Sequence, residues 1–254
     1  MNELKFSANL GFLWKELSLP AAIRAAKANG FDAVECHWPY DTEANLVLDA
    51  LEETSLSMRS INTIAGNNHL GEFGVCALPG RSDDAHDAID QALQYASLIH
   101  CPFVHIMAGK SQGPAAHRAF IDNLAYATSK AEALGIAVLI EPLNEADVPG
   151  YFLNSAMQAA DIISTLGANN LKLLFDCYHV ELIHGNVIQH FHELETIIGH
   201  IQIASVPSRL SPDLGALDYT TIFSKIASSS YAGFIGAEYK PVVATEDTLG
   251  WMHQ

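Results

Sequence analysis

Eight short apolar runs alternate with longer, helix-like stretches along the whole chain, and few folds accept that order. The runs are Lys5–Asn9, Ala33–His37, Met58–Thr63, Phe103–Ala108, Ala137–Pro142, Leu171–Asp176, His200–Ala204 and Phe234–Tyr239. Several are nearly continuous in apolar character, as strands covered on both faces of a parallel sheet should be. Between them lie stretches such as PAAIRAAKANG, DDAHDAIDQALQYASLIH and RAFIDNLAYATSKAEALG. The first and third close on glycine, Gly30 and Gly135, which ends a helix readily because it accepts left-handed backbone. Eight βα units predict an α/β fold, a single (β/α)8 barrel over residues 1–254. A doubly wound open sheet is the alternative, but no GxGxxG or GxxxxGK(S/T) phosphate loop supports it.

No linker or shift in composition marks a domain boundary. The longest irregular segment, AGNNHLGEFGVCALPGR from Ala65 to Arg81, follows the third strand and reads as a lid over the barrel mouth. The final TEDTLGWMHQ reads as a short last helix anchored by Trp251.

An apolar fraction of 49% supplies a large core, and a charged fraction of 17% fits a wide buried sheet. The formal charge of −16 repels nucleic acid and anionic membranes, so neither is expected as a partner. A small anionic substrate is compatible with that charge if a metal and one or two local cations hold it. Cys36, Cys76, Cys101 and Cys177 form no CxxC pair and read as small buried hydrophobes. With no membrane-length apolar stretch and no signal-peptide layout at MNELKFSANLG, a reduced, cytoplasmic protein is expected. Assembly into a homo-oligomer stays open.

Four apolar runs in the second half end in a lone coordinating side chain: Glu141 in AVLIEP, Asp176 in LKLLFDCYH, Gln202 in GHIQIA and Glu238 in GFIGAEYK. A buried, unpaired ion costs several kcal/mol, on the order seen for desolvated carboxylates in proteins. Barrel active sites lie at the C-terminal strand ends, so these oxygens can meet at one point. Three carboxylates and an amide favour Mg²⁺ or Mn²⁺ over zinc, which prefers nitrogen and sulfur. Taken singly, each acid has a plainer explanation as a helix cap or ion-pair partner.

Further candidates surround this set. His179, in D-x-x-H after Asp176, reads either as a contact to a substrate hydroxyl or as a support behind the ligands. Glu35 and His37 in VECHWPY alternate toward the barrel mouth, to touch substrate or to support a ligand, with Trp38 as an apolar wall. Lys240 shares a strand face with Glu238 and suits either the orienting of Glu238 or a substrate carboxylate. Arg209, in the loop after the seventh strand, and Arg81 are further loop cations suited to an anion, and Asn9 and Asn62 are weaker candidates. The remaining histidines do not gather; His190 and His192 in QHFHEL are two apart and face differently on a helix.

These segments resemble the hydroxypyruvate isomerase family of xylose-isomerase-like barrels, which includes the 2-oxo-tetronate isomerases. The likeness runs through KFSANLG, VECHWPY, CALPGR, IEPLN, DVPGYFL, FDCYH, GHIQIA, GAEYKP and TEDTLGWM, and AGNNHLGEFG, VHIMAG and FIDNLAYA are similar to the tetronate branch. It implies Glu141, Asp176, Gln202 and Glu238 as divalent-metal ligands, with Glu141 and Glu238 also the catalytic acid–base pair. It further implies isomerisation of a short 2-oxo sugar acid. One loop departs: where the family carries HRxEPGxGEINY, this chain reads PSRLSPDLGALDY, with Ser208 and Ala216 in place of histidine and glutamate and with Arg209 and Gly215 retained. Competing readings are a metal-dependent ketose 3-epimerase, a nuclease on the same architecture, and a non-catalytic binding barrel.

Overall fold

The computed structural model describes residues 3–253. Its sheet holds eight parallel strands: β1 (Lys5–Asn9), β2 (Ala33–Glu35), β3 (Ser60–Asn62), β4 (Phe103–His105), β5 (Ala137–Ile140), β6 (Leu171–Asp176), β7 (Ile198–Ile203) and β8 (Phe234–Ala237). Their order, β2-β1-β8-β7-β6-β5-β4-β3, joins the first strand to the last. The seam between β2 and β3 is closed by the Val34–Met58 pair. Backbone bonds from Arg59 N–H to Val34 O (2.7 Å) and from Cys36 N–H to Ser60 O (3.1 Å) reinforce it. The (β/α)8 barrel expected from the alternation is formed.

The outer layer is α1 (Leu19–Ala28), α2 (Ala44–Thr54), α3 (Ser82–Leu98), α4 (Gly113–Glu132), α5 (Ala156–Leu166), α6 (Cys177–His184), α7 (Val187–Leu194) and α8 (Tyr219–Ser228). Small residues let these helices sit close to the sheet. Ala85, Ala88, Ala92 and Ala96 line the inner stripe of α3, and Ala116, Ala127 and Ala131 that of α4. Gly30 and Gly135 have positive φ (87° and 68°), as helix-ending glycines should. All four cysteines are buried free thiols.

Three features differ from the sequence expectation. The hydrogen-bonded strands are shorter than the apolar runs, because past the strand ends the backbone bonds to rim loops instead. Thus Thr63 N–H donates to His105 O (2.9 Å) and Ala77 N–H to Ala108 O (2.6 Å). Two helices, α6 and α7, follow β6. Among the described residues after β8 there is no α-helix but two 3-10 turns, Thr245–Thr248 and Gly250–His253; the Thr248 hydroxyl bonds to Thr245 O (2.7 Å) and tightens the first. Trp251 is the anchor, buried edge-on against Phe6 at 5.1 Å; Gln254 lies outside the described residues.

Among the described residues no helix is long and apolar enough to cross a membrane.

Candidate metal centre and substrate cavity

The four candidate ligands stand at or near the C-terminal ends of four consecutive strands. Asp176 is the last residue of β6 and pairs in register with Gln202 of β7. Glu141 and Glu238 stand one residue beyond β5 and β8. All four are buried. Above them lies a cavity of about 70 Å³ bordered by Glu141, Glu238, His37, His105, His179 and Arg209, with Phe12, Trp38, Phe73 and Met107 as apolar walls.

Asp176 divides its two oxygens between structure and site. Oδ1 caps α6 by accepting from Tyr178 N–H (2.8 Å), so the helix-cap explanation is true of one oxygen. Oδ2 faces Arg209 Nη2 (3.5 Å) and His179 Nε2 (3.7 Å). Glu238 is the most heavily partnered acid. Its Oε1 lies 2.8 Å from His37 Nε2 and 3.1 Å from Asn9 Nδ2, and its Oε2 takes a close ion pair from Arg209. Glu141 has the opposite environment: its Oε1 is buried without a partner, and its Oε2 lies 3.6 Å from His105 Nδ1.

The charge states follow from these surroundings. Burial pushes Glu141 well above the usual carboxylate range, and the charges of Glu238 and Asp176 push it further. Burial raises Asp176 to about 7, with Arg209 opposing. Burial also works against Glu238, but Arg209 and His37 outweigh it and hold that acid at about 2. The two glutamates are therefore pushed in opposite directions, Glu238 toward its ionised form and Glu141 toward its protonated form.

The donor set fits a hard divalent cation. It is all oxygen, and two of its buried oxygens, Glu141 Oε1 and Gln202 Oε1, have no partner within the protein. Ligand atoms of Glu141, Asp176 and His179 lie within 4.8 Å of one another. His179 differs from the other two in its chemistry. Its Nδ1 accepts from the backbone N–H of Asn144 (3.1 Å), so in the neutral ring Nε2 carries the hydrogen and can only donate. Burial lowers this histidine to about 3, keeping the ring neutral. It suits a substrate oxygen rather than a cation, one of the two roles expected from D-x-x-H.

Two expected substrate contacts lie elsewhere. Glu35 does point into the barrel, but it is fully buried beneath the cavity and both its oxygens are taken by protein donors. Lys240 does not share the Glu238 face, because β8 ends at Ala237 and strict alternation ends with it. Its side chain is exposed and lines a neighbouring groove with Lys15. Arg81 is also turned away, pairing with Glu72 and Asp84.

Arg209 is drawn fully into the site. It adopts left-handed backbone (φ 53°), which is unfavourable for a residue with a Cβ. Bonds from Arg209 N–H to Ser205 O and from Lys240 N–H to Arg209 O, both 2.8 Å, hold it there. Gly215 packs the same loop against Ser205 and Val206, where a Cβ would approach to 2.6 Å. The two retained family positions thus shape the loop, and it closes without the histidine and glutamate it lacks.

Sequence reasoning missed His105, whose two ring nitrogens are buried and unpartnered at the cavity edge; burial lowers it to about 4. It also missed His200, two residues before Gln202 and on the same strand face, a spacing that period-two alternation makes visible.

Comparison with known proteins places this architecture. The model of the xylose isomerase-like TIM barrel family matches residues 23–254. A 2-oxo-tetronate isomerase of Pectobacterium atrosepticum is 40% identical over 251 residues, covering 97% of this chain and 96% of that protein. A Homo sapiens protein with the provisional name hydroxypyruvate isomerase is 37% identical over 263 residues, covering 99% and 95%. A crystal structure from Brucella melitensis, described as an AP endonuclease of family 2, superposes with a TM-score of 0.95 at 34% identity, covering 99% and 98%. By family match and by full-length identity, the chain belongs to the xylose isomerase-like TIM barrels.

Proposed function

We propose that the protein is a divalent-metal-dependent isomerase of a short 2-oxo sugar acid, acting on hydroxypyruvate or on a 2-oxo-tetronate. The observation that supports this reading is the burial of Glu141, Asp176, Gln202 and Glu238 at or near the ends of four consecutive strands, two of them with an unpartnered buried oxygen, beside a cavity that Glu141 and Glu238 border. The names of the relatives support the substrate class.

For hydroxypyruvate, the reaction moves one proton from the hydroxyl-bearing carbon to the neighbouring carbonyl carbon. The hydroxyl proton passes to the former carbonyl oxygen, giving tartronate semialdehyde with no gain or loss of atoms. Glu141, Asp176, Gln202 and Glu238 would hold the Mg²⁺ or Mn²⁺, which when bound supplies Lewis-acid polarisation of the carbonyl. Glu238, kept ionised by Arg209 and His37, takes the carbon-bound proton. Glu141, three strands along and just past β5, delivers a proton drawn from solvent to the adjacent carbon, and Glu238 releases its own to solvent to close the cycle. His179 Nε2–H donates to a substrate oxygen, and the Phe12, Trp38 and Phe73 wall keeps water from the charge that develops.

The nuclease description of the Brucella structure is poorly matched by this chain's charge. A net charge of −16 does not suit a polynucleotide. The test is turnover by chelator-treated protein, with and without added Mn²⁺ or Mg²⁺, of hydroxypyruvate, 2-oxo-tetronates and free ketoses. We expect metal-dependent conversion of a 2-oxo acid. Conversion of ketoses alone, or full activity in chelator, would overturn the proposal.

A further inference from the structure

Beneath the candidate metal centre, Glu35 crosses the barrel interior from β2 to β7. Its Oε1 accepts from Gln202 Nε2 (2.7 Å) and Asn9 Nδ2 (3.1 Å). Its Oε2 accepts from His200 Nε2 (2.6 Å) and Ser7 Oγ (2.8 Å). The span is possible because the intervening strand β8 carries glycine at this level. A Cβ on Gly236 would lie 2.5 Å from both Glu35 oxygens, and Gly236 is in register with both Ser7 and Gln202.

A carboxylate ringed by four donors can only accept. The Gln202 atom that meets it must therefore be the NH₂, and the other amide atom, Oε1, is turned away from Glu35. That oxygen is buried and has no partner in the protein. An unconstrained amide has two orientations about its last bond, and in the wrong one it would offer hydrogens to a cation.

We infer that Glu35 is a positioning residue: with Gly236 making room for it, it fixes the orientation of the Gln202 amide so that Oε1 faces the metal centre. The arrangement also accounts for an amide among the ligands. An amide alone in this set both donates to Glu35 and presents an oxygen on its other side. The inference rests on the metal reading given above; of the two parts the sequence allows Glu35, substrate contact and support of a ligand, it takes the second and names the ligand and the atom.

The test is a calorimetric titration of Mn²⁺ into the whole protein and into Glu35→Met, Glu35→Gln, Gln202→Ala and the Glu35→Met/Gln202→Ala double variant. Folding of each is checked by circular dichroism. Loss of a partner that orients a ligand typically weakens metal affinity by about 10- to 100-fold, and we expect that from Glu35→Met. Glu35→Gln keeps one acceptor for the Gln202 amide but adds an NH₂ that can meet Gln202 Oε1, so its affinity should fall between those of wild type and Glu35→Met. Because Glu35 acts through Gln202, adding Glu35→Met to Gln202→Ala should weaken binding no further. Gly236→Ala, which crowds the Glu35 carboxylate, should weaken binding in the same direction while leaving every ligand in place. Independent, multiplying losses in the double variant would overturn the inference, as would wild-type affinity in Glu35→Met. Absence of Mn²⁺ binding by the wild-type protein would instead sink the metal centre itself, and this inference with it.

Discussion

The two halves of the barrel contribute to the site in different ways. Strands β5 to β8 supply the four candidate ligands, one from each strand end, and the loop after β7 adds Arg209. Strands β1 to β4 and their loops supply Asn9, Phe12, His37, Trp38, Phe73 and His105, which support or enclose those ligands. The acidic half bears a large electrostatic burden, and the other half relieves it with hydrogen-bond donors and apolar walls. Chemistry should fail when the first half is altered, whereas binding should weaken when the second is.

The largest expected effect lies on the acidic side. Glu238→Gln and Glu141→Gln should each lower turnover of a 2-oxo acid by about 10² to 10⁴-fold, the range for loss of a general acid or base. Solvent exchange separates the two: in D₂O, Glu141→Gln should still wash deuterium into the hydroxyl-bearing carbon of hydroxypyruvate, and Glu238→Gln should not. Equal exchange in both variants would erase the assignment of roles.

Arg209→Met comes next. The guanidinium is the main influence holding Glu238 low against burial. Without it the acid's pKa rises, so the acidic limb of the kcat/KM profile should move to higher pH. Loss of kcat/KM should be greatest at the acidic end of the profile, because below its pKa an acid loses its ionised form tenfold for every unit of pH. An unmoved acidic limb would show that Arg209 does not govern Glu238.

A stability measurement sharpens the same contrast. Asp176 and Glu141 have raised pKa values in the metal-free fold. A raised carboxyl favours the fold below its unfolded pKa and loses that contribution as pH climbs through the folded value, near 7 for Asp176. Metal binding competes with these protons and tightens as they leave. The increase in Tm produced by Mn²⁺ should therefore be larger at pH 8 than at pH 6, and a larger increase at pH 6 would contradict the charge assignment.

The smallest effects belong to the aromatic wall. Trp38→Ala and Phe73→Ala remove contact area and leave the acids untouched, so KM should rise, roughly tenfold for 1–2 kcal/mol of lost apolar burial, with kcat and Mn²⁺ affinity little changed. A collapse of kcat would mean the wall does more than enclose.

The division also explains what could be read from the chain. Buried apolar runs announce strands, and an acid ending such a run is conspicuous because desolvation makes it costly. Glu141, Asp176 and Glu238 stand out for that reason, and Gln202 by its matching place in the strand between Asp176 and Glu238. Supporting side chains carry no such signal. A histidine inside an apolar run, as at His105 or His200, looks like any satisfied core residue until the barrel closes around it. Glu35 was seen as polar and inward, yet its depth depends on Gly236, on a strand from the far end of the chain, and no local pattern reveals that. The turn of Lys240 away from the cavity was hidden likewise, since alternation holds only while the strand lasts, and β8 stops three residues earlier.

The most direct test of the account is anomalous diffraction from crystals of the protein grown with Mn²⁺. We expect one strong peak within about 2.3 Å of an oxygen from each of Glu141, Asp176, Gln202 and Glu238, a distance usual for hard divalent cations. His179 Nε2 should stand outside the coordination sphere. A peak held by His179 or His105 nitrogen, a peak elsewhere in the barrel, or none at all would contradict the proposed centre.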